Sequence, residues 1–299
     1  MTALIADLGG TNARLALSVD GAPSAVMRYR GDDYGRFDDV VAHYLAAQGH
    51  PRIEKICMAV AGPVRDGRAS LTNRDWSLSE AGLRDLTGAR DALLINDMQA
   101  LGLAITRRRP GPDDTVRAAP AWGNQALVVN AGTGFNVCPV HLGAMAVLQA
   151  EEGHTQLPAN IAGVLAQRLG AKAAPFSSVE ALLAGPGLAR LHLALTGETA
   201  APDEIARDEA APTLPLMAQL FGLMLRELAL RYLPGAGIWL AGSLARTLAR
   251  HPESLETGFL AEQMMRDVPQ SIPIFLLNDD LAALDGCIAA LAGSGAGKN

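Results

Sequence analysis

Seven residues into the chain, Asp7-Leu8-Gly9-Gly10-Thr11-Asn12-Ala13-Arg14 sets a carboxylate against a glycine-rich turn. Apolar runs flank it, Leu4-Ile5-Ala6 before and Leu15-Ala16-Leu17 after, so it reads as strand, turn, strand. Glycines with no Cβ let backbone N–H groups approach a ligand closely. Successive N–H groups in such a turn make a concave anion site. An acidic residue there repels a bare phosphate. It suits a phosphate carried with hydrated Mg²⁺, which keeps its waters and bridges carboxylates to phosphates. Ala6, Asp7, Leu8, Gly9, Gly10 and Thr11 are therefore candidate nucleotide contacts, with Asp7 reaching the metal through water. The same glycines also suit a tight hairpin and nothing more.

A second stretch repeats the layout: Leu127-Val128-Val129-Asn130-Ala131-Gly132-Thr133-Gly134-Phe135-Asn136-Val137. Asn130 stands where Asp7 stands, and Gly132 where Gly9 stands. Two such turns suggest an internal duplication, and facing each other they could hold one nucleotide's phosphates from both sides through Gly132, Thr133 and Gly134. Coincidence is the competing account in a chain with 31 glycines.

Four further clusters carry polar chemistry. Leu93-Leu94-Ile95 runs into Asn96-Asp97 and then a helical pattern. Asp97 could accept a proton from a substrate hydroxyl, and Asn96 could both donate and accept. Either residue could equally cap the helix. Glu151-Glu152-Gly153-His154, and Glu180 ahead of Gly185-Pro186-Gly187, suit multidentate recognition of sugar hydroxyls; singly, each is an ordinary surface or satisfied polar group. A metal set of Glu151, Glu152 and His154 is the weaker reading. Gly242-Ser243 follows the strand Ile238 to Leu240 and would allow close approach of an adenosine, or serve as a plain strand-to-helix turn.

The elements that position these groups are short apolar strands at Ile56–Val60, 93–95, 127–129, 238–240 and 274–277. Helical patterns lie between them at 158–169 and 214–233, the second stopped by Pro234-Gly235. Alternating strands and helices argue for α/β layers, with opening hairpins that make the sheets mixed. The 299 residues suffice for two domains, with a boundary expected in the polar stretch Arg107 to Asp114 and its three arginines read as solvated surface. A net charge of −6 without a basic block argues against nucleic acid or an anionic membrane. No apolar run reaches the ~18 residues of a membrane span, and no signal peptide is visible. Cys57, Cys138 and Cys287 read as buried thiols of a reducing compartment. The tail Ala292 to Asn299 imitates a P-loop but lacks its first glycine and its Ser/Thr, and reads as a flexible terminus.

Taken in order, these motifs resemble the bacterial glucokinase family of the hexokinase–actin–Hsp70 superfamily. Asp7 to Arg14 looks like its first phosphate motif, and Leu71-Thr72-Asn73-Arg74-Asp75-Trp76 like its sugar-side loop. Asn96-Asp97 resembles the pair carrying the catalytic aspartate, and Gly132-Thr133-Gly134 the second phosphate motif. Glu151-x-Gly153-His154 is similar to the sugar signature, Ser178-Val179-Glu180 to another sugar segment, and Gly242-Ser243 to the adenosine motif. The resemblance implies two ribonuclease-H-like (actin-like ATPase) α/β domains with mixed sheets around a cleft. The small domain would span 1–105, rejoined by a C-terminal helix within 284–299, and the large domain 106–283. It implies transfer of the ATP γ-phosphoryl group to the 6-hydroxyl of glucose, with Mg²⁺. Asp97 would act as base, and Asn73, Asn96, Asp97, Glu151, His154 and Glu180 would bind the sugar. It implies a cytoplasmic enzyme with neither nucleic-acid nor membrane partners, and admits a homodimer. A kinase for another hexose or another phosphoryl donor, and a catalytically dead sugar sensor, are the alternatives. Three positions depart from the family pattern: Glu152 and Asn136 replace glycines, as does Ser243. Glu152 would add a charge near the sugar; the other two would alter nucleotide grip. The cysteine cluster and DNA-binding region of the related repressor–kinase family are absent.

Overall fold

The computed structural model describes residues 2–71, 76–262 and 264–293. The chain forms two compact units, Met1–Arg109 with Asp279–Asn299, and Pro110–Asn278.

In unit one, β1 (Ala3–Leu8), β2 (Asn12–Ser18), β3 (Pro23–Arg30) and β4 (Lys55–Val60) precede a three-stranded sheet of β5 (Val64–Arg65), β6 (Arg68–Ser70) and β7 (Ser77–Ser79). β8 (Asp91–Asn96) completes the main sheet, ordered β3-β2-β1-β4-β8. β1 pairs antiparallel with β2 and parallel with β4. Its side chains alternate between two cores, as a strand's period of two requires. Leu4, Ala6 and Leu8 pack with Phe37, Val40, Tyr44 and Trp76 on one face. Ala3 and Ile5 pack with Cys57, Ala100, Leu284 and Cys287 on the other. A strand buried on both faces reads as a continuous apolar run, and Asp7 is the one polar interruption in β1. The second face is closed by helices Asp97–Ile105 and Ala282–Gly293. They cross at Gly286, where any Cβ would lie 1.9 Å from the Ala100 carbonyl oxygen.

In unit two, β9 (Thr115–Arg117), β10 (Gln125–Ala131), β11 (Phe135–His141), β12 (Ala146–Val147), β13 (Gly237–Ala241) and β14 (Ile274–Leu276) form one mixed sheet. Its order is β12-β11-β10-β13-β14-β9. β10 repeats the relations of β1: antiparallel to the strand after it, parallel to β13 on its other side. With β9 set aside, the two sheets have the same order and sense of strands, which is the structural form of the duplication read from the two turns. Leu127, Val129 and Ala131 face a large core built on helix Thr213–Tyr232 with Leu214, Phe221, Met224 and Leu228. By length and composition that helix is apolar enough to cross a membrane, but 72% of its most apolar stretch is buried inside the protein. It crosses helix Pro252–Phe259 at Gly222 and Gly258, where a Cβ on Gly258 would lie 2.0 Å from the Gln219 carbonyl oxygen.

Arg107 and Arg109 are exposed, as expected of solvated surface, whereas Arg108 is half-buried. Arg107 Nη2 donates to the Gly21 carbonyl at 3.2 Å. Arg108 pairs with Asp279, both side chains half-buried, where the chain returns to unit one. Arginines at a chain return can clamp backbone and carboxylate together, and composition alone does not separate that use from solvation.

Candidate active site

Unit one carries the first group of candidate residues. Leu8 faces Ala13 across the β1–β2 hairpin. The turn is closed by the Gly9 N–H to the Asn12 carbonyl at 2.9 Å. Ala6 and Leu8 are buried in β1; Gly9 and Gly10 are half-buried and Thr11 is exposed. Asp7 lies opposite Arg14 in the ladder, and Arg14 Nη1 donates to its Oδ2 at 2.9 Å. Burial pushes the Asp7 carboxyl above its ordinary value, with Arg14 opposing that shift. Arg14 also keeps a buried Nε with no hydrogen-bond partner. An arginine on the same carboxylate disfavours direct cation ligation. No cluster of three or more His, Cys, Asp or Glu side chains is arranged for a metal among the described residues.

Asn96 and Asp97 sit where β8 ends and helix Asp97–Ile105 begins. Asn96 is the N-cap. Its Oδ1 accepts from the Met98 N–H at 2.9 Å, and its own N–H donates to Gln99 Oε1 at 3.2 Å, a capping box. Asn96 Nδ2 donates to the Gly62 carbonyl at 3.0 Å. The cap reading is thus correct for Asn96, and one amide hydrogen remains for a ligand. Asp97 Oδ1 accepts from the Met98 N–H at 2.8 Å, and its side chain is half-exposed. Asn73 lies outside the described residues. Its neighbour Trp76 is buried against Phe37, ring centroids 5.6 Å apart.

Unit two carries the rest. Ala131 faces Phe135 across the β10–β11 turn, with Gly132, Thr133 and Gly134 between them. Gly132 adjoins the adenosine-type turn: a Cβ on it would lie 3.8 Å from Gly242 Cα and from Ser243 N. Gly242 adopts φ +91°, and a side chain there would strike the Ala131 carbonyl oxygen at 2.3 Å, so glycine is required twice over. Gly132 and Ser243 line one small recess of about 40 Å³ with Leu188, Asp203, Leu244 and Thr247. Asp203 was not singled out by sequence; its only signal was the Pro-Asp start of a short helix.

Glu152–His154 forms a single 3₁₀ turn capped by Glu151, with Glu151 and His154 exposed. Gly153 is pinned there because a Cβ would lie 2.2 Å from the Phe135 carbonyl oxygen and 3.2 Å from Glu180 Cβ. Glu180 Oε2 accepts from the Phe135 N–H at 2.9 Å. A bridge between Gln156 and Ser178, and the Val179 N–H on the Thr155 carbonyl at 3.0 Å, stitch the two acidic segments together. Glu180, Gly153 and the second turn are therefore neighbours, although sequence separates them widely.

Two departures behave differently from expectation. Glu152 does not add a free charge beside Glu151: its side chain is buried and ion-paired with Arg231 at the end of helix Thr213–Tyr232. Glu152 and burial together raise the neighbouring Tyr232 phenol, burial being the larger cause. Asn136 turns its amide towards residues 150–152 rather than the phosphate-type turn. Arg231 was invisible in sequence because nothing in its helix marks it.

A glucokinase family model matches residues 4–294. The glucokinase of Caulobacter sp. (strain K31) is 32% identical to this chain, covering 98% of it and 95% of the relative. The crystal structure of a glucokinase from an Antarctic psychrotroph superposes with TM-score 0.83 at 28% identity, over 98% of this chain and 99% of that one. A glucokinase from Streptomyces griseus, solved with glucose and AMPPNP, shares the fold at TM-score 0.62 and 16% identity, over 99% and 100% of the two chains.

Proposed function

The chain belongs to the glucokinase family, and we propose from this that it transfers the γ-phosphoryl group of ATP to the 6-hydroxyl of glucose, giving glucose 6-phosphate and ADP. The observation that carries the reading is the repeated one: two sheets of the same strand order, each with a glycine–threonine turn after its central strand. That repeat supports two ribonuclease-H-like domains, a small one holding the first turn and Asp97 and a large one holding the second turn, the acidic turn and Gly242-Ser243.

In this reading Asp97 accepts the hydroxyl proton and orients the nucleophile, its carboxylate fixed by the Met98 N–H. Asn96, Glu151, His154 and Glu180 bind sugar hydroxyls, with Asn73. The backbone of residues 6–11 and 132–134 cradles phosphates, while Gly242 and Ser243 receive the adenosine in the recess lined by Leu188 and Asp203. Asp7 would hold Mg²⁺ through water, and the ion would neutralise phosphate charge. Phosphoryl transfer is mainly positioning and electrostatics, so the side chains named suffice. A cytoplasmic location and a homodimer belong to the same reading.

The experiment is ADP release by purified protein with Mg·ATP, with and without glucose, alongside direct detection of glucose 6-phosphate. Water competes as a nucleophile, so an enzyme built for sugar hydrolyses ATP slowly without it. Equal ADP release in both arms refutes the kinase reading. Panels of hexoses and of donors, ADP and polyphosphate included, test the choice of glucose and ATP.

A further inference from the structure

Two positions where the family pattern has glycine, Asn136 and Glu152, both hold one turn. Asn136 Nδ2 donates to the Ala150 carbonyl at 2.8 Å and to Glu151 Oε2 at 3.2 Å. Its Oδ1 accepts from the Glu152 N–H at 3.1 Å and from the Val137 N–H at 2.9 Å. A side-chain amide has two hydrogens and two lone pairs, so all of its capacity is committed to holding residues 150–152 and its own strand. None remains for a nucleotide. On the other side, the buried Glu152 carboxylate is gripped by Arg231, whose helix is the central post of the unit-two core. The turn's own backbone bonds, His154 N–H to Glu151 O at 3.2 Å and Thr155 N–H to Glu152 O at 3.1 Å, shape its main chain but place neither carboxylate.

We infer that Asn136 and the Glu152–Arg231 pair are positioning residues that preorganise the Glu151–His154 turn, Asn136 by fixing the Glu151 carboxylate and the pair by anchoring the turn to helix Thr213–Tyr232. The inference rests on the reading of that turn as sugar-binding. An exposed carboxylate on a short turn loses side-chain freedom when it engages a ligand; holding it beforehand lowers that cost of binding. A glycine at either position could supply neither hold.

The test is glucose affinity by calorimetry and the split of KM values for glucose and ATP in Asn136→Ala, Asn136→Asp and Arg231→Met. Asn136→Ala should weaken glucose binding about tenfold, the worth of a hydrogen bond to a charged group, with ATP KM within about twofold. Asn136→Asp should be weaker still, because it places a like charge beside Glu151. Arg231→Met should also raise the glucose dissociation constant, and Arg231→Lys, which keeps the charge, should recover most of it. Should Arg231→Met fail to fold, the Asn136 variants and Arg231→Lys carry the test. Unchanged glucose affinity in the Asn136 variants, or an ATP KM that rises as much as the glucose KM, overturns the inference while the kinase reading stands. Wild-type protein that binds no glucose removes the kinase reading, and this inference with it.

Discussion

At the scale of single residues, Asp97 is the sharpest point of the reading. Its carboxylate accepts from the Met98 N–H, shared with the Asn96 side chain, at a strand–helix junction. Asp97→Asn keeps shape and hydrogen-bonding capacity but cannot take a proton. Turnover should fall by about 10²–10⁴, the usual share of a general base, while calorimetry shows glucose binding retained. Turnover within a few-fold of wild type would remove Asp97 from the chemistry. Glu152 makes the opposite prediction. It is buried and paired with Arg231, which in the proposed reading keeps it out of the choice among hydroxyls. Glu152→Gly should therefore leave glucose ahead of mannose, galactose and fructose in kcat/KM, though with weaker binding. A switch of preferred hexose would put Glu152 inside the sugar network. The three cysteines form a third case. All are buried; burial pushes the Cys138 thiol up to about 12, and burial beside Cys287 pushes Cys57 well above its usual value. The thiolate is the reactive form, so a thiol reagent at mildly alkaline pH should label the native protein slowly and the denatured chain at all three. Rapid labelling of native protein would contradict the burial.

At the scale of elements, the hairpins and the junctions after β8 and β13 were legible because each combines a short apolar run with residues of special backbone or capping chemistry. Asp7 announced itself as the one polar residue in a strand apolar on both faces. Other parts were illegible for equally physical reasons. Arg231 lies 79 residues from Glu152, and a helix with a broadly buried surface gives no periodic signal for one charged end residue. Asn136 follows a glycine–threonine turn in sequence, so proximity along the chain suggested nucleotide, whereas a strand's alternation turns its side chain to the acidic turn. The small sheet β5-β6-β7 is too short to show a period. Helix crossings were hidden too, since a glycine in a helical pattern signals weakness as readily as close packing. Gly286 is such a crossing: a methyl there meets the Ala100 carbonyl oxygen. Gly286→Ala should cost at least the ~1–3 kcal/mol of an overpacked core, read as a lowered Tm in thermal unfolding. An unchanged Tm would mean that the two helices do not meet as described.

At the scale of the whole molecule, the chain is two units whose main sheets share five strands of one order, each unit with its own hydrophobic interior. Unit one is built on the two faces of its five-stranded sheet. Unit two is built on the helix Thr213–Tyr232. Cores of this kind are cooperative within themselves, and a chain with more than one need not unfold in a single step. Calorimetry should therefore resolve two transitions. One glycine in each unit tells them apart, because each sits where a methyl would strike a carbonyl oxygen: Gly286 at 1.9 Å in unit one and Gly258 at 2.0 Å in unit two. Gly286→Ala should lower one transition by several degrees and leave the other in place, and Gly258→Ala should do the reverse, at roughly 2–8 °C per kcal/mol for bodies of this size. A single transition displaced equally by both variants would show that the two cores melt as one cooperative body.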